Sequence, residues 1–364
     1  MKFLIVNFNN GLGNTILSNS SFKLIKENIK DSTISIVSNN RDGDLDISDI
    51  NPAVSLTINF RKISLFKKIN FLFKVILGHY DYIVFTPFSS PNLFSFSLFF
   101  IFGRATLLLP IYYKELNSPR RYFFLKLLKF FRRVSFSGKE LFGDMIDKNF
   151  HEIDANLNLV SKLFPKNYTI DKKYNSNSLD INFSENILKK YSLKKNDYIC
   201  VQYGASHGNL TPKIWDEEKT IHLVNSISNF SKVIILGNSK DRKLDNTKLN
   251  NLNILDLMGK TSLSDLANLL KFSQKNICFD SGTMHLADAI QSNLLAIFGP
   301  TNIKKNKPKN STSQYIYKEV SCSPCILGWN FVENYISEKE AYNDCKSNFK
   351  CMENISVEDV LRLI

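Results

Sequence analysis

Glycine and proline are scarce in this chain of 364 residues, 14 and 10 respectively, which excludes a collagen-like or linker-like composition. Long apolar runs are missing as well. The most apolar stretch, Leu93 to Leu109, is interrupted by Ser95, Ser97, Gly103 and Arg104, whereas a spanning helix needs about 20 largely apolar residues. A buried or surface-docking helix is the expectation there. The first apolar run, Phe3 to Val6, stops at Asn7, too short for the core of a secretory signal, so a cytoplasmic setting is expected. No repeat of solenoid period is visible. Nor does an RNP, zinc-finger or helix-turn-helix pattern accompany the basic segments, and nucleic acid is not an expected partner.

What the chain does have is an ordinary globular composition, 43% hydrophobic and 22% charged, with length for about two domains of ~150 residues. It also carries a large basic excess, 47 Lys and Arg against 34 Asp and Glu. That excess is uneven. Residues 1–150 hold 20 basic and 11 acidic side chains, and residues 151–364 hold 27 and 23. The window 61–140 alone holds 14 against 3. Such a surface suits an anionic partner, or else is a solvated basic face.

Strands alternate with helical patterns in both halves, the signature of parallel α/β domains. In the first half FLIV (3–6) reads as a strand entering a glycine turn at 9–13, and Thr15 to Ile29 as a helix. TISIV (33–37) and YIVF (82–85) read as further strands. Residues 119–134, PRRYFFLKLLKFFRRV, have the spacing of a basic amphipathic helix with Phe123, Leu127, Phe130 and Phe131 on one face. A Lys/Asn/Ser-rich stretch at 166–184 reads as a linker between domains 1–165 and 185–364. The second half restarts with YICVQYG (198–204), KVIILG (232–237), NICF (276–279) and LLAIFG (294–299). Open α/β sheets bind ligands beyond the carboxyl ends of their strands, so the loops after these strands are the place to look. Two Rossmann-like halves facing a central cleft is the architecture expected.

The segment ICFDSGTMHLADAIQSNLLAIFGPT (277–301) has a strand ending at Phe279, Asp280 capping the turn, and a helix starting near Thr283. Backbone N–H groups of Ser281 to His285, with the positive end of the helix dipole behind them, would suit a diphosphate. An ordinary capped turn between strand and helix has the same pattern. VQYGASHGNLTPKIW (201–215) sets His207, Thr211 and Lys213 in one loop, where a lysine and a hydroxyl can neutralise the same diphosphate. GNSKDRK (237–243) and LMGKTSLSDLANLL (257–270) follow.

Taken in order, YGAS…K-x-W, LGNSKD, GKTSLSDLA, DSGTMHLADA and FGPT resemble glycosyltransferase family 9, the ADP-heptose:lipopolysaccharide heptosyltransferases. The resemblance covers Tyr198 to Thr301 well and is weaker in LIVNFNNGLGN and HEIDANLNLV (151–160). It implies an α/β protein of GT-B fold, with the acceptor on the N-terminal domain and a nucleotide-sugar, ADP-heptose by expectation, on the C-terminal one. Lys213 and Thr211 would contact the donor phosphates, Asp280 the sugar hydroxyls, and Ser281, Gly282, Thr283, Met284 and His285 the diphosphate. Met258 and Gly259 would lie near the base, and Asp241 at the ribose. Gly11, Gly13, Asn14, Arg120 and Arg121 would lie on the acceptor side. No catalytic metal is implied, because a lysine and a helix dipole can neutralise the leaving group. No acidic pair follows a strand, and Asp42, Asp44, Asp46 and Asp49 lack calcium-loop spacing.

The activity implied is inverting transfer of heptose, or a similar sugar, to a lipopolysaccharide core or other glycan, with Asn14, Lys213 and Asp280 at the reaction centre. A phosphorylated glycolipid on the anionic inner face of a membrane would be the partner of the basic domain, and the enzyme would be peripheral there. Protein O-heptosyl transfer is a second reading. The family's turn usually reads Gly-Asp, its aspartate being the general base, and here Gly13 and Asn14 stand in its place. An amide cannot accept that proton. Either Asp144, His151, Glu152 or His207 is the base, or catalysis rests on leaving-group stabilisation, or the protein binds a nucleotide-sugar without turnover. Of six cysteines, Cys200 and Cys278 fall in strands as small core residues. Cys322, Cys325, Cys345 and Cys351 suggest a structural zinc or iron site, four reduced thiols being the plain alternative.

Overall fold

The structure, a computed structural model, describes residues 1–7, 11–38, 47–60, 62–86, 105–111, 141–145, 151–176, 178–204, 212–241, 244–249, 252–325, 342–345 and 347–364. It divides into two compact units, Met1–Ser176 and a second that continues from Asn177.

In the first unit six parallel strands, β1 (Lys2–Asn7), β2 (Thr33–Ser38), β3 (Leu56–Asn59), β4 (Tyr82–Phe85), β5 (Thr106–Ile111) and β6 (Leu141–Met145), lie in the order β3-β2-β1-β4-β5-β6. The central β1 pairs Ile5 with Ile36 on one side and with Val84 on the other, and Phe3 to Asn7 are all buried. A strand covered on both faces needs no alternation, which is why its sequence is a plain apolar run. The helices are α1 (Leu12–Leu17), α2 (Asn19–Asn28), α3 (Leu65–Ile76) and α4 (Glu152–Ser161).

Two expectations change here. The single helix over 15–29 is two, broken at Ser18. The Ser18 hydroxyl donates back to the Asn14 carbonyl at 3.0 Å and to Asn156 Oδ1 on α4 at 3.2 Å, the back-bonding that bends helices. The helix expected over 93–109 is not one at its end, because Thr106 to Leu109 belong to β5 and pair with β4; residues 93–104 lie outside the described residues. So does the basic segment 119–134.

The second unit repeats the plan. Its strands β7 (Tyr198–Gln202), β8 (Lys232–Leu236), β9 (Ile254–Asp256), β10 (Lys275–Phe279), β11 (Leu294–Phe298) and β12 (Ser313–Tyr317) are again parallel, in the order β12-β11-β10-β7-β8-β9. Helices α5 (Asn186–Lys190), α6 (Glu217–Ser228), α7 (Leu263–Phe272), α8 (Gly282–Ala289), α9 (Ile303–Asn306), α10 (Lys350–Glu353) and α11 (Val357–Leu361) accompany them. One buried cluster joins Val201, Trp215, Val233, Ile277 and Leu295 to Met352, Ile355 and Val360 of the C-terminal helices. Lys219 on α6 anchors that tail, donating to the carbonyls of Met352 and Glu353 at 3.2 and 2.9 Å.

Both sheets therefore reverse their strand order at one point, between β1 and β4 in the first unit and between β7 and β10 in the second. The loops leaving the two strands on either side of such a point diverge, and a crevice opens beyond their carboxyl ends.

Candidate functional site

At the β7/β10 reversal one buried side chain fixes both loop starts. Gln202 Oε1 accepts from the Phe279 N–H and from the Ser281 hydroxyl, each at 3.1 Å, and its Nε2 donates to the Gly204 carbonyl. Ser281, in extended backbone, caps α8 by accepting from the Met284 N–H at 3.3 Å. The cap is thus Ser281 and not Asp280, and the helix begins at Gly282. Being one residue earlier, Asp280 is released from capping and turns its carboxylate to side-chain partners.

Those partners are a lysine and an imidazole in a buried setting. Asp280, 4% exposed, lies with Oδ2 3.5 Å from Lys213 Nζ and Oδ1 3.9 Å from His285 Nε2. Burial pushes its carboxyl up, and Lys213, His285, Thr301 and Lys305 together overcome this and hold it below the ordinary value. Asp280 is therefore ionised near neutrality. Burial, with Lys213 and Lys305, pushes His285 down to about 4 against the upward pull of Asp280, so this imidazole is neutral there. Oδ2 of Asp280 is buried and, beyond its ion pair with Lys213, accepts no hydrogen bond among the described residues.

The anion side of the site is narrower than five residues. The Met284 N–H is taken by Ser281 Oγ and its side chain is fully buried, while the His285 N–H bonds the Ser281 carbonyl at 3.2 Å. Gly282 and Thr283, in the first turn of α8, have N–H groups with no intrahelical acceptor. These two amides, the helix dipole and Lys213 can neutralise a phosphate-type anion.

Glycines bring the next residues in. Gly204 has φ +134°, and a Cβ there would fall 2.3 Å from the Asp241 carboxylate. Gly259 has φ +69°, and its Cβ would lie 2.7 Å from Ser239, while one on Gly237 would meet Met258 Cε at 2.6 Å. The Gly259 N–H bonds the Gly237 carbonyl at 2.9 Å, and Asp241 Oδ2 accepts from the Asn238 N–H at 2.6 Å. Asp241, Met258 and Gly259 are thus drawn together beside the end of β7. Sequence reasoning missed Gln202, Thr301 and the buried Lys305 of α9. Gln202, a polar residue closing an otherwise apolar strand, was the one visible signal. Thr211 and His207 lie outside the described residues, as do Arg120 and Arg121.

At the β1/β4 reversal of the first unit the described side chains that meet are neutral. Asn7, closing β1, donates through Nδ2 to Thr15 and accepts at Oδ1 from Thr86 at 3.1 Å. A small cavity there is lined by Asn7, Leu12, Thr15, Ile36, Ser38, Ile47 and Thr57. Gly11 precedes α1 with open space around it; Gly13 is buried and Asn14 half-buried within the helix. Of the alternative bases, His151 uses Nδ1 to accept from the Ile153 N–H at 3.2 Å, capping α4, and Glu152 is fully buried. Both open the helix that packs on α1 and α2. Asp144 lies on β6.

Cys200 and Cys278 are buried in β7 and β10, and burial raises both thiols. Cys351 is raised to about 11, first by burial and then by Cys325, Cys345 and Cys322, which places all four tail cysteines in one neighbourhood. The Phe349 N–H donates to Cys345 Sγ at 3.1 Å. Soft thiols are the right donors for zinc or iron. Among the described residues, however, no three His, Cys, Asp or Glu side chains form a group able to hold a metal ion, so the four fit in kind and in vicinity but are not closed into a ligand shell.

Two Rossmann-like sheets, one with an ion pair and a helix N-terminus at its point of reversal, have the GT-B fold, and the family model places the protein among glycosyltransferases. The chain belongs to glycosyltransferase family 9 (heptosyltransferase), whose model matches residues 131–335, more than half its length. It is 25% identical over 227 residues to lipooligosaccharide heptosyltransferase 2 of Campylobacter jejuni serotype O:6, covering 59% of this chain and 71% of the relative. Its fold matches that of E. coli ADP-heptose lipopolysaccharide heptosyltransferase II at TM-score 0.67 and 17% identity, over 100% of this chain and 97% of the other. It also matches the iron-containing dodecameric glycosyltransferase TibC of enterotoxigenic E. coli H10407, at TM-score 0.55 and 12% identity, over 99% and 74%. Among the described residues no helix is long and apolar enough to cross a membrane.

Proposed function

We propose that this heptosyltransferase-family protein transfers a heptose from ADP-heptose, with inversion and without a catalytic metal, to a lipooligosaccharide or lipopolysaccharide core. The observation that carries the reading is the Lys213–Asp280 pair set beside the α8 N-terminus at the β7/β10 reversal. The acceptor hydroxyl attacks the anomeric carbon, the bond from that carbon to the diphosphate oxygen breaks, and the diphosphate leaves with the electron pair. Lys213 and the Gly282 and Thr283 amides stabilise the charge developing on it, an arrangement that needs no reorganisation during the step. Asp280 holds sugar hydroxyls and Asp241 the ribose. The proton of the acceptor goes to a base other than Asn14, which positions the acceptor.

ADP-heptose and the glycan acceptor are named for two similar proteins, the E. coli enzyme and the Campylobacter one. The basic first domain supports a phosphorylated, membrane-borne acceptor, reached from the cytoplasm at an anionic surface. We further propose that Cys322, Cys325, Cys345 and Cys351 hold a structural zinc or iron, as fits the thiol donor set and the iron named for TibC. A protein acceptor is the second reading.

Nucleotide release from ADP-heptose, with and without acceptor, tests the proposal on wild type, Lys213→Ala, Asp280→Ala and Asn14→Asp. Turnover by wild type that both alanine variants abolish supports it. Donor binding without turnover, restored by Asn14→Asp, replaces it with a degenerate nucleotide-sugar-binding protein. Metal analysis of the reduced protein with no stoichiometric zinc or iron removes the metal site.

A further inference from the structure

We propose that the outer face of α3 is the surface by which this protein seats on an anionic lipid bilayer. The inference rests on the membrane association proposed above and names the site that performs it.

The helix is apolar on two sides. Its inner side supplies Phe71 and Val75 to the core around Leu4, Val37, Ile83 and Phe85, with Leu72 packed against it. That is what a helix needs to fold onto a sheet. Its outer side is apolar as well, and exposed: Leu65 72%, Phe66 78%, Ile69 44%, Phe73 58% and Leu77 73%. At ~100° per residue these five fall within an arc of about 120°. They therefore form one stripe along the whole helix. Exposed apolar residues of the second unit, Phe230, Leu252, Tyr315 and Leu363, are far apart in the chain, and Tyr315 alone of the four lies on a helix or strand. A contiguous stripe of this kind marks an interaction surface, where scattered residues do not.

Charge decides the occupant. Residues 50–80 contain no Asp or Glu, and hold Arg61, Lys62, Lys67, Lys68 and Lys74. Lys67 and Lys74 border one edge of the stripe on the helix wheel and are exposed. At the C-terminal end of α3 an open groove of about 450 Å³ is lined by Lys2, Lys74, Leu77, Gly78, His79 and Asp81. The Asp81 carboxylate there accepts from the Lys2 backbone N–H at 2.7 Å. An apolar stripe bordered by lysines is the pattern of a helix lying in a lipid interface, its rings in the acyl boundary and its ammonium groups at the phosphates. A second copy of the chain suits the face less well, since a two-fold contact would bring these lysines against their own counterparts.

The test is co-sedimentation of the full chain with vesicles of phosphatidylcholine alone and of an equimolar mixture with phosphatidylglycerol. Wild type is expected on the mixed vesicles, in a salt-sensitive manner, and not on the neutral ones. The pair Phe66→Ser and Phe73→Ser should weaken binding by about tenfold or more, and Lys67→Glu with Lys74→Glu by about fivefold per charge. All four side chains are exposed, so thermal melts should match wild type, and sedimentation velocity reports the oligomeric state alongside. Vesicle binding that survives both α3 pairs but is lost in Arg120→Glu with Arg121→Glu overturns the α3 assignment and leaves the membrane reading standing. Wild type that ignores anionic vesicles overturns both. An oligomer that the α3 variants dissociate makes the stripe a contact between copies and overturns the proposal.

Discussion

The two sheets share a strand order and differ in what stands at their points of reversal. Beyond β7 and β10 the chain places an ionised buried carboxylate, two lysines and a neutral imidazole. Beyond β1 and β4 the described residues are amides and hydroxyls, Asn7, Thr15 and Thr86, with Asn14 in α1. The same fold thus carries a charged set suited to neutralising a phosphate-type anion at one reversal and, among the described residues, a neutral hydrogen-bonded set at the other. The cost differs too. A buried carboxylate is tolerable only with its cations in place, whereas a neutral network needs only mutual satisfaction.

The largest expected effect separates the two crevices by activity. Lys213→Ala should lower kcat about 10²–10³-fold, the loss typical of a donor aimed at developing negative charge. Asn14→Ala should cost no more than about tenfold if Asn14 only positions the acceptor. Steady-state rates of nucleotide release measure both, and equal losses would erase the distinction.

Acid should loosen the charged crevice first. His285 titrates at about 4 in the folded chain and near 6.5 when unfolded, so between these values the unfolded state binds a proton that the native state refuses. Stability from this residue is complete above pH 6.5 and lost as pH falls toward 4, about 3 kcal/mol in all. Asp280, held below its ordinary value, adds a further loss below about pH 4. Hydrogen exchange should show α8 losing protection over that window ahead of β1, and His285→Gln should flatten the slope.

Glycine substitutions sharpen the comparison at smaller scale. Gly204→Ala, at φ +134° and against Asp241, should destabilise by about 1–3 kcal/mol. Gly11→Ala, with nothing within 4 Å of its Cβ, should stay within about 0.5 kcal/mol. Denaturant melts of the two variants are the check. The smallest effect concerns thiols: in folded protein stripped of metal by a chelator, Cys322, Cys325 and Cys345 should react with a maleimide while Cys200 and Cys278 stay protected. Mass spectrometry of the labelled peptides reads this directly.

Much of the second unit was legible because β7, β8, β10 and β11 are covered on both faces and so read as unbroken apolar runs. The edge strands were not. β12, SQYIY, and β9, ILD, are half-exposed, and their residues are chosen by solvent on one side and by a single neighbouring strand on the other. The motif segments announced Lys213, Asp280 and Ser281 through their loops. They misassigned the cap, because Asp and Ser are equally good N-caps and only the backbone decides which residue occupies the position. Gln202 and Lys305 act through contacts made by tertiary packing, which no local spacing encodes. α3 went unread for a related reason: apolar residues on both its sides blur the helical period that a one-faced helix would show.

The central claim, that Lys213 beside the α8 N-terminus neutralises the donor while Asn14 does not bind it, is tested most directly by titrating ADP into wild type, Lys213→Ala and Asn14→Ala by calorimetry. The account predicts that Lys213→Ala weakens ADP binding by about 30-fold or more, the loss expected for a charge-assisted contact, and that Asn14→Ala changes it by less than about threefold. Equal weakening by the two substitutions, or ADP binding indifferent to Lys213→Ala, would contradict it.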